Sequence, residues 1–143
     1  NSASDYSLNV TNSYSLALLH ALGVKRVTLS YELNISQIES LLTAYQKRYH
    51  KRPNTELIVF AKEEMMTSKF LLPKKYHASG DLYLKDRFGH YYNVTIENNL
   101  MVIYHDKRRN LMEYDRYYQM GINSLRWMLE KNDSYSEVKK LFR

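Results

Sequence analysis

The stretch DYSLNVTNSYSLALLHALGVKRVTLSYELN, residues 5–34, decides the fold class of this chain. Its pattern predicts a short strand at 5–10 and a second strand at 24–30, which is dense in β-branched and aliphatic residues. Asn12 or Ser13 can cap the helix between the two strands. Because strands that alternate with helices form a parallel sheet with helices packed on it, we expect an α/β protein.

The next unit repeats this pattern. Residues 34–37 (NISQ) form a capping box that opens a helix through about Tyr49. Pro53 follows, and the apolar run at 56–60 predicts a strand that is buried on both faces. The sequence therefore predicts a βαβαβ arrangement over residues 5–61.

The alternation of strand and helix patterns ends after residue 61. Residues 62–80 have no clear period, whereas residues 81–104 alternate like an antiparallel hairpin with a third strand. Residues 110–113 and 134–137 are predicted capping boxes, and a strand is predicted at 122–129 after a helix that ends at Gly121.

These elements predict a single domain over residues 1–143, with an antiparallel insert at 81–104 and an αβα segment at 110–143. A closed TIM barrel needs eight βα units, and only about four are present here. We therefore expect half of a TIM-barrel-like fold, in a fragment of a larger protein.

The composition narrows the class of protein. A hydrophobic fraction of 44% is ordinary for a globular protein, and no apolar run approaches the roughly 20 residues that span a membrane. The first residues lack the pattern of a signal peptide. Zero cysteines exclude disulfides and thiolate catalysis from these 143 residues. We expect a cytoplasmic protein with no cofactor and no membrane partner.

The net charge of +6 favours polyanionic partners only weakly. The basic run at 47–52 lies at the end of a predicted helix, where cations either complement the helix dipole or contact phosphates. The cluster Lys107-Arg108-Arg109 precedes a helix instead, where the dipole disfavours cations.

Polar residues follow several of the predicted strands, and this is where βα folds place their ligand sites. Glu32 and Glu64 could form a carboxylate pair for acid–base catalysis or for a hard cation. In the alternative interpretation, Glu32 orders its own loop and Glu64 is solvated. No Gly-rich phosphate loop, His-Glu-x-x-His or Gly-x-Ser-x-Gly motif is present.

Four phrases, in sequence order, resemble the peptidase U32 family, the collagenase-like proteases: LNVTNSYSLALLHALGVKRVTLSYELN, ELIVFAKEEMMTS, YLKDRFGHYYNV and GINSLRWMLE. The resemblance runs from about residue 5 to 130 and corresponds to the second half of the family's barrel-like domain. It implies a βα barrel and a peptidase. The family also includes members needed for hydroxylation of RNA and ubiquinone, some of which are thought to carry an iron–sulfur cluster.

The chain departs from the family signature, which runs Glu-x-Phe, then His-Gly, then two cysteines. Glu56 matches the signature glutamate, but the other positions hold Ile58, Phe60, Ala61, Glu64 and Leu71. A thiolate-bound cluster therefore cannot form from this half. The positions that carry over are Asn12, Ser30, Glu32, Glu56, Lys85, Asp86 and Arg87.

Three functions remain open. The first is a U32-type peptidase in which Glu32 and Glu64 are catalytic, and in which Asn12, Ser30 and the turn formed by Lys85, Asp86 and Arg87 contact a polypeptide substrate. The second is a non-hydrolytic RNA-binding module that works beside a modification enzyme. The third is a degenerate barrel that serves protein assembly, as a homodimer through open sheet edges or with the N-terminal half of the barrel.

Overall fold

The computed structural model describes residues 2–73, 76, 82–130 and 133–140. The chain divides into two compact units. Unit 1 comprises residues 1–60 and 111–143, and unit 2 is the stretch 61–110 between them. The antiparallel part therefore begins well before residue 81, where the sequence predicts the insert to start.

The secondary structure follows the chain through unit 1, into unit 2 and back. The elements up to residue 61 are a 3₁₀ turn at Tyr6–Leu8, α1 (Ser13–Ala21), β1 (Val27–Thr28), α2 (Ile35–Tyr49) and β2 (Thr55–Ala61). Unit 2 continues with β3 (Glu64–Ser68), β4 (Leu82–Lys85), β5 (Tyr91–Glu97), β6 (Leu100–His105) and β7 (Arg109–Asn110). The remaining elements are α3 (Tyr114–Met120), β8 (Ser124–Trp127) and α4 (Tyr135–Lys140).

Three strands of unit 1 are paired in parallel. β1 pairs with β2, and β2 pairs with β8. Isolated parallel bridges join Ala3 to Arg26 and Val10 to Leu29, so the N-terminal segment runs along the free side of β1. The α/β class with parallel βα units is confirmed, whereas the described strands form two sheets and close no barrel.

β2 is the centre of unit 1, and all seven of its residues are buried. Its alternate residues Leu57 and Val59 share one apolar cluster with Leu29 of the adjacent extended segment and with Leu16 and Tyr45 of the two helices. Because side chains alternate across a strand, Thr28 and Glu56 project to the other face of the sheet.

The helix ends follow the predicted capping chemistry in the first half of the chain. The Asn12 side chain accepts hydrogen bonds from the backbone N–H groups at the start of α1. Asn34 and Gln37 form the reciprocal capping box of α2, and Gly23 has the predicted left-handed backbone with φ +92°. The sequence predicts these positions well because capping depends on only a few neighbouring residues.

Two strand predictions in the first half are partly wrong. The stretch 5–10 is a 3₁₀ turn, because the Asp5 carboxylate caps the Tyr6 N–H and Asn9 adopts a left-handed backbone with φ +45°. The stretch 24–30 retains only β1 and the isolated bridges at Arg26 and Leu29. At 5–10, capping by the Asp5 side chain overrides β propensity.

The later predictions also need correction. Residues 64–68, where no period is visible, form β3, and the strand predicted at 122–129 is limited to β8. The capping box at 110–113 does not form, because α3 begins after Glu113 without a side-chain cap. Gly121 ends α3 with φ +106°, as predicted. The Glu137 side chain of the third predicted box lies outside the described residues.

Unit 2 is an antiparallel sheet in the order β3, β6, β5, β4. The hairpin of β4 and β5 and the third strand β6 confirm the predicted meander. A bulge between Glu64 and Met66 shifts the register of β3 against β6. One face carries a small apolar cluster of Val94, Met101 and Ile103.

Candidate functional site

A groove of about 700 Å³ opens in unit 1 at the carboxyl ends of its parallel strands. It is lined by residues 11–13 at the start of α1, by residues 32–34 after β1 and by the first turns of α2. We call it the carboxyl-end groove. It contains two of the predicted site residues, Asn12 and Glu32, and it lies where parallel βα folds hold their ligands.

Two predicted site residues near this groove are already engaged in local structure. The Asn12 Oδ1 atom accepts hydrogen bonds from the Tyr14 and Ser15 N–H groups at 3.0 and 2.9 Å. The Ser30 hydroxyl donates to Asn9 Oδ1 at 2.5 Å and accepts from the Glu32 N–H at 3.2 Å. Both side chains therefore order the groove walls.

Glu32 differs from these two residues. It is exposed, and within the described part of the chain its carboxylate forms no hydrogen bond or ion pair. Glu64, its predicted partner, is the exposed first residue of β3 in unit 2. Because the two carboxylates belong to different units, their pairing stays a prediction.

Glu56 occupies the polar face of the parallel sheet and is only 4% exposed. Its carboxylate accepts hydrogen bonds from the Thr28 hydroxyl at 3.0 Å and the Ser124 hydroxyl at 3.3 Å. Arg126 contacts it at 2.5 Å and Arg26 at 3.3 Å. We call these five residues the Glu56 cluster.

The Glu56 cluster also fixes the N-terminal segment. Arg126 pairs with Asp5 at 2.9 Å, and the Thr28 hydroxyl, whose one hydrogen is shared with Glu56, lies 2.9 Å from the Ser4 carbonyl oxygen. Sequence reasoning singled out Glu56 but missed both arginines. Arg126 is 70 residues from Glu56 in the chain, so no local pattern could have linked them.

The predicted turn of Lys85, Asp86 and Arg87 lies at the tip of the β4–β5 hairpin. The Asp86 carboxylate accepts hydrogen bonds from the backbone N–H groups of Phe88 and His90 at 2.8 and 2.9 Å. Desolvation opposes ionisation of Asp86, but the hydrogen bonds from the His90 side chain and these N–H groups outweigh it and lower its pKa to about 2. Asp86 therefore organises the turn.

One face of the unit 2 sheet combines tyrosines with lysines. In the β4–β5 register Tyr83 lies opposite Asn93 and Lys85 opposite Tyr91, so these side chains share a face. Tyr83 and Tyr91 are 51% and 50% exposed. The Lys85 Nζ atom lies 5.0 Å from the centre of the Tyr91 ring. We call this the tyrosine–lysine face.

The next strand extends the tyrosine–lysine face. Tyr104 on β6 lies opposite Asn93, and the Lys62 Nζ atom is 4.9 Å from the Tyr104 ring and 3.3 Å from Asn93 Oδ1. The Tyr104 hydroxyl donates to Glu97 at 3.0 Å, at the far end of β5 from Tyr91. Sequence reasoning did not single out the tyrosines, although the alternation within residues 82–94 already places Tyr83, Lys85 and Tyr91 on one face.

The described residues contain no group of three His, Asp or Glu side chains arranged to hold a metal ion. Among the same residues, no helix is both long enough and apolar enough to cross a membrane.

The carboxyl-end groove and the tyrosine–lysine face are thus two sites of different chemistry, one in each unit. Comparison with known proteins adds no relative: no family model, no curated protein and no solved structure matches this chain.

Proposed function

We propose that this chain binds single-stranded RNA through the tyrosine–lysine face of unit 2. The observation that carries the proposal is the pair of half-exposed tyrosines, Tyr83 and Tyr91, on the same sheet face as Lys85. Sheet faces that combine aromatic rings with cations bind single strands, because bases stack on the rings and phosphates contact the cations.

The charge distribution along this face supports the same function. Lys85 lies at the hairpin end next to Tyr91, and Arg87 lies at the tip with its guanidinium 4.7 Å from the Phe88 ring. Glu97 lies at the opposite end, where the Tyr104 and Thr95 hydroxyls hold its carboxylate. We therefore expect the phosphate backbone of the bound RNA to pass the hairpin end of this face, away from the Glu97 carboxylate.

Fluorescence anisotropy with a labelled single-stranded RNA tests the proposal. Stacking on an aromatic side chain is worth about 1–3 kcal/mol per base, so Tyr83→Ala and Tyr91→Ala should each weaken binding about tenfold. Tyr118→Ala is the matched control, because Tyr118 is also 51% exposed but lies on α3 in unit 1. Equal affinities of all three variants would contradict the proposal.

Salt dependence and strand preference sharpen the test. A duplex RNA of the same sequence should bind more weakly, since its bases cannot stack on the tyrosines. Removing one phosphate contact with Lys85→Ala should reduce the slope of log K against log salt by about 0.7. Binding that is equal for both RNAs and vanishes in modest salt would indicate only generic attraction to the net charge of +6.

The fold supports a finer proposal, half of a TIM-barrel-like domain of the peptidase U32 type. The parallel segments of unit 1 are adjacent in chain order, from the N-terminal segment through β1 and β2 to β8, as in a barrel. Further βα units, from the N-terminal half or from a second copy, would cover the open edges of this sheet.

The carboxyl-end groove favours hydrolysis as a second candidate function. Its volume and the carboxylate of Glu32, which has no partner among the residues that the structure describes, suit a polypeptide substrate with a general base. Cleavage of casein by the pure protein, abolished in Glu32→Ala and retained in Glu39→Ala on the outer part of α2, would support it. No cleavage at high protein concentration would count against a peptidase and leave the RNA proposal unaffected.

A further inference from the structure

A second cavity lies at the opposite end of the parallel sheet. It has a volume of about 360 Å³, and residues at the amino ends of β1, β2 and β8 line it. Lys25 and Arg26 come just before β1, Asn54 just before β2, and Asn123 just before β8. We call it the amino-end pocket.

The lining of this pocket is rich in hydrogen-bond donors. Among the described residues that line it, the ionisable ones are Lys25 and Arg26, which are both cationic, and none is a carboxylate. The Asn123 Oδ1 atom accepts a hydrogen bond from the Thr55 N–H at 3.0 Å. The amide nitrogen of Asn123 therefore remains as the donor of that side chain.

The Glu56 cluster holds part of this lining in place. Arg26 contacts Glu56 through its Nε atom, and its side chain is still 45% exposed, so its terminal nitrogens remain for a ligand. Asp5 and Glu56 together balance the charges of Arg26 and Arg126. Lys25 has no ion-pair partner among the described residues, and it leaves this edge with one uncompensated positive charge.

We propose that the amino-end pocket binds a phosphate group, either free phosphate or the phosphate of a small monoester. Guanidinium, ammonium and amide N–H donors are the groups that bind phosphate oxygens in proteins. The cavity volume is at the lower end of the range for small-molecule sites, which leaves room for a small substituent on the phosphate. This proposal is independent of RNA binding by unit 2.

Isothermal titration with inorganic phosphate, and separately with ribose 5-phosphate, tests the proposal in 150 mM salt, about physiological strength. Lys25→Met should weaken binding of both about tenfold, since it removes a charged hydrogen bond. Lys47→Met is the matched control, because Lys47 lies in the last turn of α2 and does not line the pocket. Asn54→Ala is a second variant, with an expected loss of about threefold.

Backbone amide shifts locate the binding. Phosphate should shift the Lys25, Arg26 and Asn123 amides, and tighter binding of ribose 5-phosphate would identify a monoester as the ligand. Equal binding of the two would indicate that the phosphate group alone is recognised. Two results would overturn the proposal: no binding up to about 10 mM of either compound, or an equal loss of affinity in Lys25→Met and Lys47→Met.

Discussion

At the scale of single residues, Glu56 joins three parts of unit 1. Thr28 of β1, Ser124 of β8 and Arg126 all contact its carboxylate, and Arg126 in turn contacts the N-terminal segment through Asp5. Removing a buried carboxylate with these partners strongly destabilises the folded protein, because it leaves the arginine charge without compensation. Its environment therefore gives Glu56 a structural role.

Glu56→Gln should lower the free energy of unfolding by about 3 kcal/mol, because the amide is similar in size but lacks the charge that the two arginines share, and its NH2 group puts a donor where one acceptor oxygen was. Urea denaturation followed by circular dichroism measures this. Glu32→Gln is the same substitution at an exposed position in the same unit and should change stability by less than about 0.5 kcal/mol. Equal stabilities of the two variants would show that the Glu56 cluster contributes nothing net.

Asp86 makes the hairpin tip sensitive to acid. Its carboxylate accepts hydrogen bonds from the Phe88 and His90 N–H groups, from the His90 ring and from the Tyr92 hydroxyl. Burial and the adjacent Asp86 charge raise the pKa of Tyr92. Because the pKa of Asp86 is lowered in the folded protein, its contribution to stability is complete above the ordinary value of 3.8 and is lost as the pH falls through about 2.

The backbone amide resonances of Phe88 and His90 should therefore move with a midpoint near pH 2 in an NMR titration. Asp86→Asn should abolish this titration while the turn persists, since the Asn side chain keeps an acceptor oxygen. Asp115→Asn, an exposed carboxylate on α3, should leave both resonances unchanged. A midpoint near 3.8 would contradict the prediction.

At the scale of elements, two segments that both match the capping-box pattern differ in whether the box forms. Residues 34–37 form a complete capping box, in which Asn34 accepts from the Gln37 N–H at 2.9 Å and the Gln37 side chain accepts from the Asn34 N–H at 2.9 Å. Residues 110–113 form no box, because Asn110 is in β7 and Leu111 donates its N–H to the Val59 carbonyl at 2.8 Å. Hydrogen bonds between strands therefore form here in place of the capping box.

Asn34→Ala should therefore lower the free energy of unfolding by about 1 kcal/mol, as expected for the loss of an N-cap. Asn110→Ala should change it by less than about 0.5 kcal/mol, since the Asn110 side chain caps no helix. Thermal and urea denaturation of both variants check this. A larger loss in Asn110→Ala would mean that the second capping box forms in solution.

At the scale of the whole molecule, the net charge of +6 gives a general attraction to polyanions but no specificity. The tyrosine–lysine face and the amino-end pocket place cations beside groups that can recognise a base or a phosphate. They belong to different units, so their ligands can be measured separately. Variants of Tyr83 and Lys25 should accordingly affect RNA and phosphate binding independently.

Local sequence patterns predict the features that depend on near neighbours. The α/β class, the two helix caps at Asn12 and Asn34 and the antiparallel meander follow from periodicity and capping over a few residues. The position of Glu32 beside the carboxyl-end groove also follows, since a parallel sheet fixes where its loops meet.

Features that depend on residues far apart in the chain are visible in the folded protein alone. The Glu56 cluster joins residues from Arg26 to Arg126 and contacts Asp5 through Arg126, and the amino-end pocket combines Lys25, Asn54 and Asn123. β3 likewise exists because β6 supplies its hydrogen bonds. Hydrogen bonding and ion pairing at these sites require partners that the fold brings together, and a local sequence pattern cannot predict which distant residues those partners are.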